Sequence, residues 1–377
     1  MDQLSSLRLV NWRAFHDITI DFDQTTVIYG DNGSGRTAIV EALTLLSQIG
    51  RQRYPALLRN DGADSRLRAG AATAGQPTQV SVVFKSRESA PVATYGFDIN
   101  PAGYVDTEWV RVTGVVHFFQ HLSFPYGHPQ AIRAAAHWNR HRCASSPALV
   151  VGEIDDLPGD HGPLGTALGH RVRDALRSIH VSTPDSRPRY AVPTWLEDVD
   201  EDNAQRALEI MALGLSGDGC VGTPHGLHHL PDGPRGAIVL HNDGAPVPMS
   251  RGDWAWLSIA SKLLQPAHHT ITVIDDVDDH LSEHHLPRLA ELIESAPESA
   301  QRIVTTRRRD LLDCLTAPVA SVRVLQRHGP LVGCHRLDPF HLAAFVDGFG
   351  SLGSVMRSGY LGRVLADDDE PQPTLPL

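Results

Sequence analysis

The sequence contains little lysine, little cysteine and no long hydrophobic run. Lys85 and Lys262 are the only lysines, and arginine makes up the remainder of the 33 basic residues. The four cysteines have no C-x-x-C spacing, which indicates neither a zinc site nor a disulfide framework. Nowhere do about eighteen apolar residues run together, and the first residues lack the basic and apolar parts of a secretion signal. We therefore expect a cytoplasmic protein without a membrane segment.

Length and charge restrict the classes of protein further. With 377 residues, the chain exceeds one ordinary hydrophobic core, so we expect either two domains or one domain with an inserted lobe. The net charge of -11 argues against a protein coated for indiscriminate nucleic-acid binding, although local surfaces can still be basic.

A glycine-rich segment near the N-terminus has the pattern of a phosphate-binding loop. Residues 30–37 read G-D-N-G-S-G-R-T; an apolar strand precedes them from Thr25 to Tyr29, and a helical pattern follows from Ala38 to about Ile49. Glycines allow backbone N–H groups to converge on a phosphate at a helix N-terminus. A glycine-rich turn before a helix is the alternative. The predicted ATP-binding residues are Asn32, Gly33, Ser34, Gly35, Arg36 and Thr37, and the Thr37 hydroxyl would also bind Mg²⁺.

A second segment far along the chain supplies the carboxylates that such a loop requires. Residues 271–276 read I-T-V-I-D-D, the Walker B pattern of a buried strand that ends in two aspartates. Asp275 would bind Mg²⁺, and Asp276 would orient or deprotonate the attacking water. Two aspartates after a strand can also be a solvated turn, but their combination with the loop at residue 30 favours a catalytic site.

A zinc-protease motif overlaps the residues after this strand. His280, Glu283 and His284 spell H-x-x-E-H, which on a helix would place two imidazoles one turn apart. No glutamate occurs between Glu298 and Glu370 to act as the third ligand. Because 21 histidines make chance matches common, we do not favour this hypothesis.

Several segments, taken in order, resemble the ABC-type ATPase heads of the RecF/SMC family and the related OLD-like ATPases of bacterial defence systems. They are L-R-L-V-N-W-R-A-F-H-D at 7–17, the phosphate loop, M-S-R-G-D at 249–253, I-D-D-V-D-D-H-L at 274–281 and I-V-T-T-R at 303–307. The match covers about residues 4–85 and 236–315. It implies an α/β P-loop NTPase fold in which two ATPase lobes surround an inserted segment.

The resemblance, together with composition and helical patterns outside the matched segments, predicts domain boundaries. The N-terminal ATPase lobe would span residues 1–120, a mainly helical lid-like insert 121–235, the C-terminal ATPase lobe 236–337, and C-terminal helices with an acidic, disordered tail 338–377. Within the insert we predict helices at Gly165–Ile179 and Asp202–Leu215.

Further site residues follow from the resemblance alone. Ser250, Gly252 and Asp253 would form the signature motif, which presents the N-terminus of a helix that we predict at Trp254–Leu264 to the γ-phosphate bound by a partner head. Ser250 and Asp253 are equally an ordinary helix-capping pair. The string L-S-G-D-G at 215–219 is closer in letters but precedes no helix. Asp279 would reach across the dimer, although it can also be no more than solvated charge.

Three substitutions distinguish this chain from the family pattern. Arg36 replaces the phosphate-loop lysine, Asp276 replaces a glutamate, and Arg307 stands where a switch histidine is expected. The guanidinium of Arg36 is a planar fork, whereas a lysine would supply a compact ammonium group. The side chain of Asp276 is shorter than that of glutamate, which moves the base by roughly 1 Å from its water and can slow hydrolysis about a hundredfold. These changes conserve charge but alter geometry, so we predict ATP binding with slow or absent hydrolysis.

Local charge suggests contact with the DNA backbone. Two arginine-rich stretches contain Arg51, Arg53, Arg59, Arg66 and Arg68, and then Arg133, His137, Trp138, Arg140, His141 and Arg142. Such contacts would be salt-dependent and poor in sequence information. The alternative is a solvated arginine-rich face.

The sequence thus predicts an ATP- and Mg²⁺-binding head that works as a homodimer around ATP or in a complex with an effector protein. Its role would be in DNA repair or in defence against foreign DNA. The alternative is a catalytically silent ATP-binding regulator or scaffold. A GTPase is less consistent, because the chain lacks an N-K-x-D guanine-recognition motif.

Overall fold

A computed structural model describes most of the two predicted ATPase lobes and part of the segment between them. The described residues are 2–51, 76–86, 93–99, 105–112, 115–120, 162–183, 201–215, 226–229, 237–240, 250–265, 271–295, 300–315, 322–329, 331–337 and 346–358. Of the two arginine-rich stretches, only Arg51 is among them. The L-S-G-D-G string beyond Leu215 and the acidic tail also lie outside the described residues.

The first sheet is antiparallel and is built mainly from consecutive strands. It contains β1 (Asp2–Trp12), β2 (Phe15–Asp21), β4 (Thr78–Ser86), β5 (Ala93–Ile99), β6 (Val105–Val112) and β7 (Val115–Gln120) in the order β2-β1-β4-β5-β6-β7. Apolar residues alternate along these strands, as in Val80, Val82 and Phe84, which are all buried. Alternation of this kind gives a sheet one face that packs on the core.

The second sheet contains the strands before and after the predicted nucleotide site. Its order is β14-β13-β3-β12-β11-β8, with β3 (Thr25–Gly30), β8 (Ile179–Ser182), β11 (Ile271–Ile274), β12 (Gln301–Thr306), β13 (Val322–His328) and β14 (Leu331–Arg336). All neighbours are parallel except β13 and β14. Because parallel strands end at one edge, the segments after β3, β11 and β12 lie side by side. A separate hairpin joins β9 (Gly226–His229) to β10 (Ala237–Leu240).

Helices cover both faces of this second sheet. One core contains α1 (Arg36–Gly50) and α2 (Gly162–Arg177) together with the antiparallel sheet. The other contains α3 (Glu201–Leu215), α4 (Arg251–Leu264), α5 (Leu286–Glu294), α6 (Arg309–Cys314) and α7 (Leu352–Ser358). Along β3, Ile28 belongs to the first core, whereas Val27 and Tyr29 belong to the second. The predicted α/β class is therefore confirmed. No helix among the described residues is long and apolar enough to cross a bilayer.

Buried polar side chains join distant parts of this architecture. The Gln301 side chain accepts a hydrogen bond from the Leu4 backbone N–H and donates to the Leu4 carbonyl, which connects the two sheets. Arg302 is buried and donates to the carbonyls of Leu263, at the end of α4, and Leu292, near the end of α5. Cations stabilise helix C-termini, and here one guanidinium serves two of them. Burial lowers the pKa of Arg302 to about 10.

Part of the region between the two predicted lobes belongs to the central sheet. Helix α2 ends at Arg177, and Ile179 begins β8, which pairs in parallel with β11 at the edge of the central sheet. Residues 162–183 thus belong to the same layers as the nucleotide-site strands, within the interval 121–235 that sequence analysis assigned to an insert. A four-residue strand whose partner lies about ninety residues away has no distinctive local pattern.

Candidate nucleotide-binding site

The glycine-rich loop leaves the carboxyl end of β3 and enters α1 directly. Gly33 and Gly35 have φ angles of 79° and 96°, a conformation that disfavours residues with a Cβ. A Cβ at Gly30 would lie 2.3 Å from Ser34 Oγ, and one at Gly35 would lie 2.5 Å from the Phe15 ring. Positions 30 and 35 thus lack room for a Cβ atom, whereas glycine at position 33 is favoured only by its backbone φ angle.

The surroundings hold the loop from both sides. Trp12, at the end of β1, donates its indole N–H to the Ala38 carbonyl at 2.8 Å in the first turn of α1. Arg309 donates to the Tyr29 hydroxyl at 2.8 Å and lies 3.6 Å from the Asp31 carboxylate. These contacts fix the loop between the β1–β2 turn and the segment after β12.

Arg36 forms the closest ion pair in the site. Its Nη1 atom lies 2.6 Å from Asp276 Oδ1, and its side chain is 8% exposed whereas that of Asp276 is 38% exposed. The two atoms are close but poorly aligned for a hydrogen bond, so both retain bonding capacity. The loop's cation therefore contacts the residue that was predicted to act as the base.

The two aspartates after β11 occupy different environments. Asp275 is buried and accepts a hydrogen bond from the Thr305 hydroxyl at 2.6 Å. Burial raises the pKa of Asp275, and the Thr305 hydrogen bond partly opposes that shift. The Asp276 backbone has a left-handed φ of 44°, and its N–H donates to Thr305 Oγ1 at 2.8 Å. Thr305 thus fixes the positions of both aspartates.

Two more aspartates face the arginines that follow β12. Asp278 is buried, neither of its oxygens has an aligned hydrogen bond, and burial raises the pKa of its carboxyl group. Arg308 lies 4.0 Å from it. Asp279 is 40% exposed and lies 3.5 Å from Arg307, whose side chain is 50% exposed. The predicted dimer residue and the predicted switch residue thus contact each other within one chain.

The N-terminus of α4 is a complete capping box. The Asp253 N–H donates to the Ser250 hydroxyl at 3.2 Å, and the Ser250 N–H donates to Asp253 Oδ2 at 2.8 Å. The helix therefore begins at Arg251, three residues before the expected start at Trp254. A Cβ at Gly252 would lie 3.2 Å from the His280 carbonyl oxygen. This first turn thus packs closely against the segment after the Walker B strand.

Of the histidines of that segment, His285 is part of the core, whereas His280 and His284 are exposed. His280 lies in a turn with φ 65°, and Glu283–His285 form a single 3₁₀ turn. His285 is buried and stacks on Trp256, and its Nδ1 atom forms a hydrogen bond with the Ser282 hydroxyl at 2.9 Å. Burial lowers the pKa of His285 to about 4. No group of three metal-ligating side chains occurs in the described part of the chain, which includes all of 271–295.

The residues present fit a nucleotide phosphate. Space beside Gly33 is open, and the Oγ atom of Ser34 is buried without a hydrogen-bond partner. α1 begins at the loop without a side-chain cap, so its first N–H groups remain available to an anion. A divalent cation also has fitting oxygen donors in the exposed Thr37 hydroxyl and the second oxygen of Asp275.

The structure brings together the loop, both aspartates of the Walker B strand and Arg307 at one edge of the sheet, whereas Ser250, Gly252 and Asp253 lie beside the 280–285 segment. Sequence reasoning missed two contacts, one from Arg309 to the Tyr29 hydroxyl and one from Arg327 to the Gly33 carbonyl. The run of three arginines after β12 was the available signal for the first. Nothing in the sequence around Arg327 marks the second.

A parallel sheet with a glycine loop at the end of a central strand, faced by carboxylates from a neighbouring strand, defines the class of P-loop nucleotide-binding proteins. Within that class, the chain belongs to the RecF/RecN/SMC N-terminal domain family, whose model matches residues 3–328. This confirms the resemblance stated from the sequence. SMC-type ATPases bind a nucleotide together with a divalent metal ion, so a nucleotide site is a family property.

Solved structures agree with this fold. An SMC head bound to the C-winged helix domain of ScpA has a TM-score of 0.52 and 16% identity, covering 90% of this chain and 99% of that chain. An SMC head domain with an extended coiled coil, bound to the C-terminal domain of ScpA derived from Pyrococcus furiosus, has a TM-score of 0.52 and 15% identity, covering 92% and 99%. Identities this low establish the fold alone. No curated protein sequence matches the chain.

Proposed function

We propose that this chain is an ATP-binding head that hydrolyses ATP slowly and acts as a nucleotide-gated dimer or as the subunit of a complex. Its role would be in DNA repair or in defence against foreign DNA. The observation that carries this proposal is the 2.6 Å contact between Arg36 and Asp276, which connects the phosphate loop to the expected catalytic base.

ATP would be held mainly by the loop. The backbone N–H groups of 32–36 and the N-terminus of α1 would bind the phosphates, and Arg36 would contribute positive charge. Thr37 and Asp275 would hold Mg²⁺, which would neutralise charge on the phosphates. The exposed Thr37 hydroxyl and the fixed carboxylate of Asp275 support this assignment.

Slow turnover follows from the state of the base. Asp276 would accept a proton from the attacking water, but its carboxylate lies against the Arg36 guanidinium and is turned towards that cation. Arg307 would contribute charge near the γ-phosphate, and its contact with Asp279 offsets part of that charge.

A partner head would complete the site. The first turn of α4, with Ser250, Gly252 and Asp253, would present its N–H groups to ATP bound by the other copy. The exposed position of Ser250 and the partial exposure of Asp279 support a role at such an interface. The structurally similar SMC heads bind ScpA domains, so a protein partner of comparable size is a second form of assembly.

The proposed contact with the DNA backbone does not depend on Arg51. Arg51 directs its guanidinium to the Ile179 carbonyl at 3.3 Å and to His180 at 3.0 Å, within the protein itself. Support for DNA contact therefore comes from the family and from the other arginines of the two stretches.

A catalytically silent regulator is the second candidate, and the same Arg36–Asp276 pair favours it. The deciding experiment measures ATP binding by calorimetry and phosphate release with Mg²⁺ for the wild type, Arg36→Lys, Asp276→Glu and the double variant. We expect the wild type to bind ATP and the double variant to release phosphate about ten- to a hundredfold faster. If the double variant stays inactive while binding ATP, the silent regulator is the better description.

The chain offers a matched control pair. Arg8 and Asp17 form an exposed 2.8 Å pair between β1 and β2, so Arg8→Lys with Asp17→Glu makes the same chemical changes away from the loop. This control should leave binding and turnover unchanged. Rapid turnover by the wild type that neither site variant accelerates would refute the slow-head proposal, and absence of ATP binding would remove the nucleotide function altogether.

A further inference from the structure

The strand beside β3 carries an arginine to the outer side of the phosphate loop. β13 runs parallel to β3 with Leu325 opposite Gly30, so Arg327 lies two residues beyond the point at which β3 turns into the loop. Residues two apart on a strand face the same side, and Leu325 already packs against the loop's first glycine. Arg327 therefore extends along the loop, and its Nε atom donates to the Gly33 carbonyl at 3.1 Å.

The bonding state of Arg327 differs from that of the loop's own cation. Arg36 is nearly buried and lies against Asp276. Arg327 is exposed, and no carboxylate among the described residues forms an ion pair with it. A guanidinium has five N–H donors in a planar fork, and the contact with Gly33 uses only one of them.

The arginines around the loop therefore differ in how readily they can bind a phosphate. Arg307 and Arg309 each lie within 4 Å of an aspartate, as Arg36 does. An incoming triphosphate must compete with those aspartates for their arginines, whereas no carboxylate of the described residues competes with it for Arg327. The contact with Gly33, whose neighbours form the anion cradle, keeps this cation at the rim of the loop.

We propose that Arg327 is a further nucleotide-binding residue, which donates from its free N–H groups to the triphosphate and supplements the charge that Arg36 shares with Asp276. This inference rests on the proposed ATP-binding function. It also gives the carboxyl end of β13 a role in the site, alongside the ends of β3, β11 and β12.

The test compares Arg327→Gln and Arg327→Lys in the full chain by calorimetry with ATP and with inorganic tripolyphosphate. Glutamine keeps an amide N–H for the Gly33 carbonyl but loses the charge. We expect it to weaken binding of both ligands about ten- to a hundredfold, as for the loss of charge-assisted hydrogen bonds. Lysine should recover part of the affinity, because it keeps the charge without the fork.

Arg336→Gln is the matched control, because Arg336 is a 51%-exposed arginine on the neighbouring strand that pairs with Asp23. It should bind both ligands as the wild type does, and the unfolding midpoint of each ligand-free variant should stay near that of the wild type. Wild-type-like affinity in Arg327→Gln, or a lysine variant no better than glutamine, overturns the inference. If the wild type binds neither ligand, the proposed function fails and this inference with it.

Discussion

Replacement of Asp276 by asparagine should tighten ATP binding. Arg36 lies 2.6 Å from Asp276, so a phosphate that recruits this arginine must weaken that pair. Asparagine has nearly the same shape as aspartate but carries no charge. Asp276→Asn therefore removes the competitor and leaves the cation in place.

The size of the effect follows from the exposure of the two groups. Opposite charges about 4 Å apart interact by about 4 kcal/mol at an effective dielectric constant of about 20. Because Asp276 is 38% exposed, solvent screening and desolvation reduce the net coupling to about 1–2 kcal/mol. Tenfold in affinity corresponds to about 1.4 kcal/mol, so we expect ATP to bind about five- to thirtyfold more tightly.

The assay is a double-mutant cycle read by calorimetry with ATP and Mg²⁺. The four proteins are the wild type, Arg36→Gln, Asp276→Asn and the double variant. Asp279→Asn is the control, because Asp279 lies 3.5 Å from the half-exposed Arg307 and should contribute much less. If Asp276→Asn tightens binding equally with and without Arg36, simple repulsion between carboxylate and phosphate is the cause, and competition for Arg36 is refuted.

Three other changes test the structure. Gly35→Ala should reduce the free energy of unfolding by about 1–3 kcal/mol in urea denaturation, because the backbone φ is 96° and the new Cβ would meet the Phe15 ring. Gly33→Ala has open space for its Cβ and should reduce the free energy of unfolding by only about 1 kcal/mol. Equal costs would contradict this. Arg302→Met should lower the unfolding free energy by about 3 kcal/mol, because it leaves the buried carbonyls of Leu263 and Leu292 without their donor; an unchanged value would contradict this. Finally, burial lowers the pKa of His285 from 6.5 to about 4, so protonation favours the unfolded chain and the free energy of unfolding falls as the pH drops from 6.5 towards 4. His285→Gln should lose this pH-dependent part of the stability, and identical pH profiles of the wild type and the variant would disprove it.

Local patterns predicted the parts of the site that depend on sequence neighbours. The loop at Gly30 and the strand before Asp275 were identified because short apolar runs indicate buried strands and glycines indicate a turn. The start of α4 was placed three residues late, because the capping box begins before the first apolar residue, Trp254. Class and order of elements were therefore accessible from sequence.

Contacts between distant segments were not accessible in that way. The position of β8 depends on pairing with β11, and the contact of Arg327 with Gly33 depends on β13 lying next to β3. Likewise, the partner of Arg36 is an aspartate 240 residues further along the chain. A single sequence carries propensity and periodicity but no direct statement of these spatial neighbours.

The position of β3 between β12 and β13 sets the order in which the protein becomes able to bind its ligand during synthesis. The phosphate loop is made before both strands that flank β3, because those strands begin at or beyond residue 301. At about 5–20 residues per second, the ribosome needs roughly a quarter of a minute to a minute to supply them. The nascent chain thus carries the loop long before its sheet exists, and nucleotide binding reports that translation has passed β12 and β13.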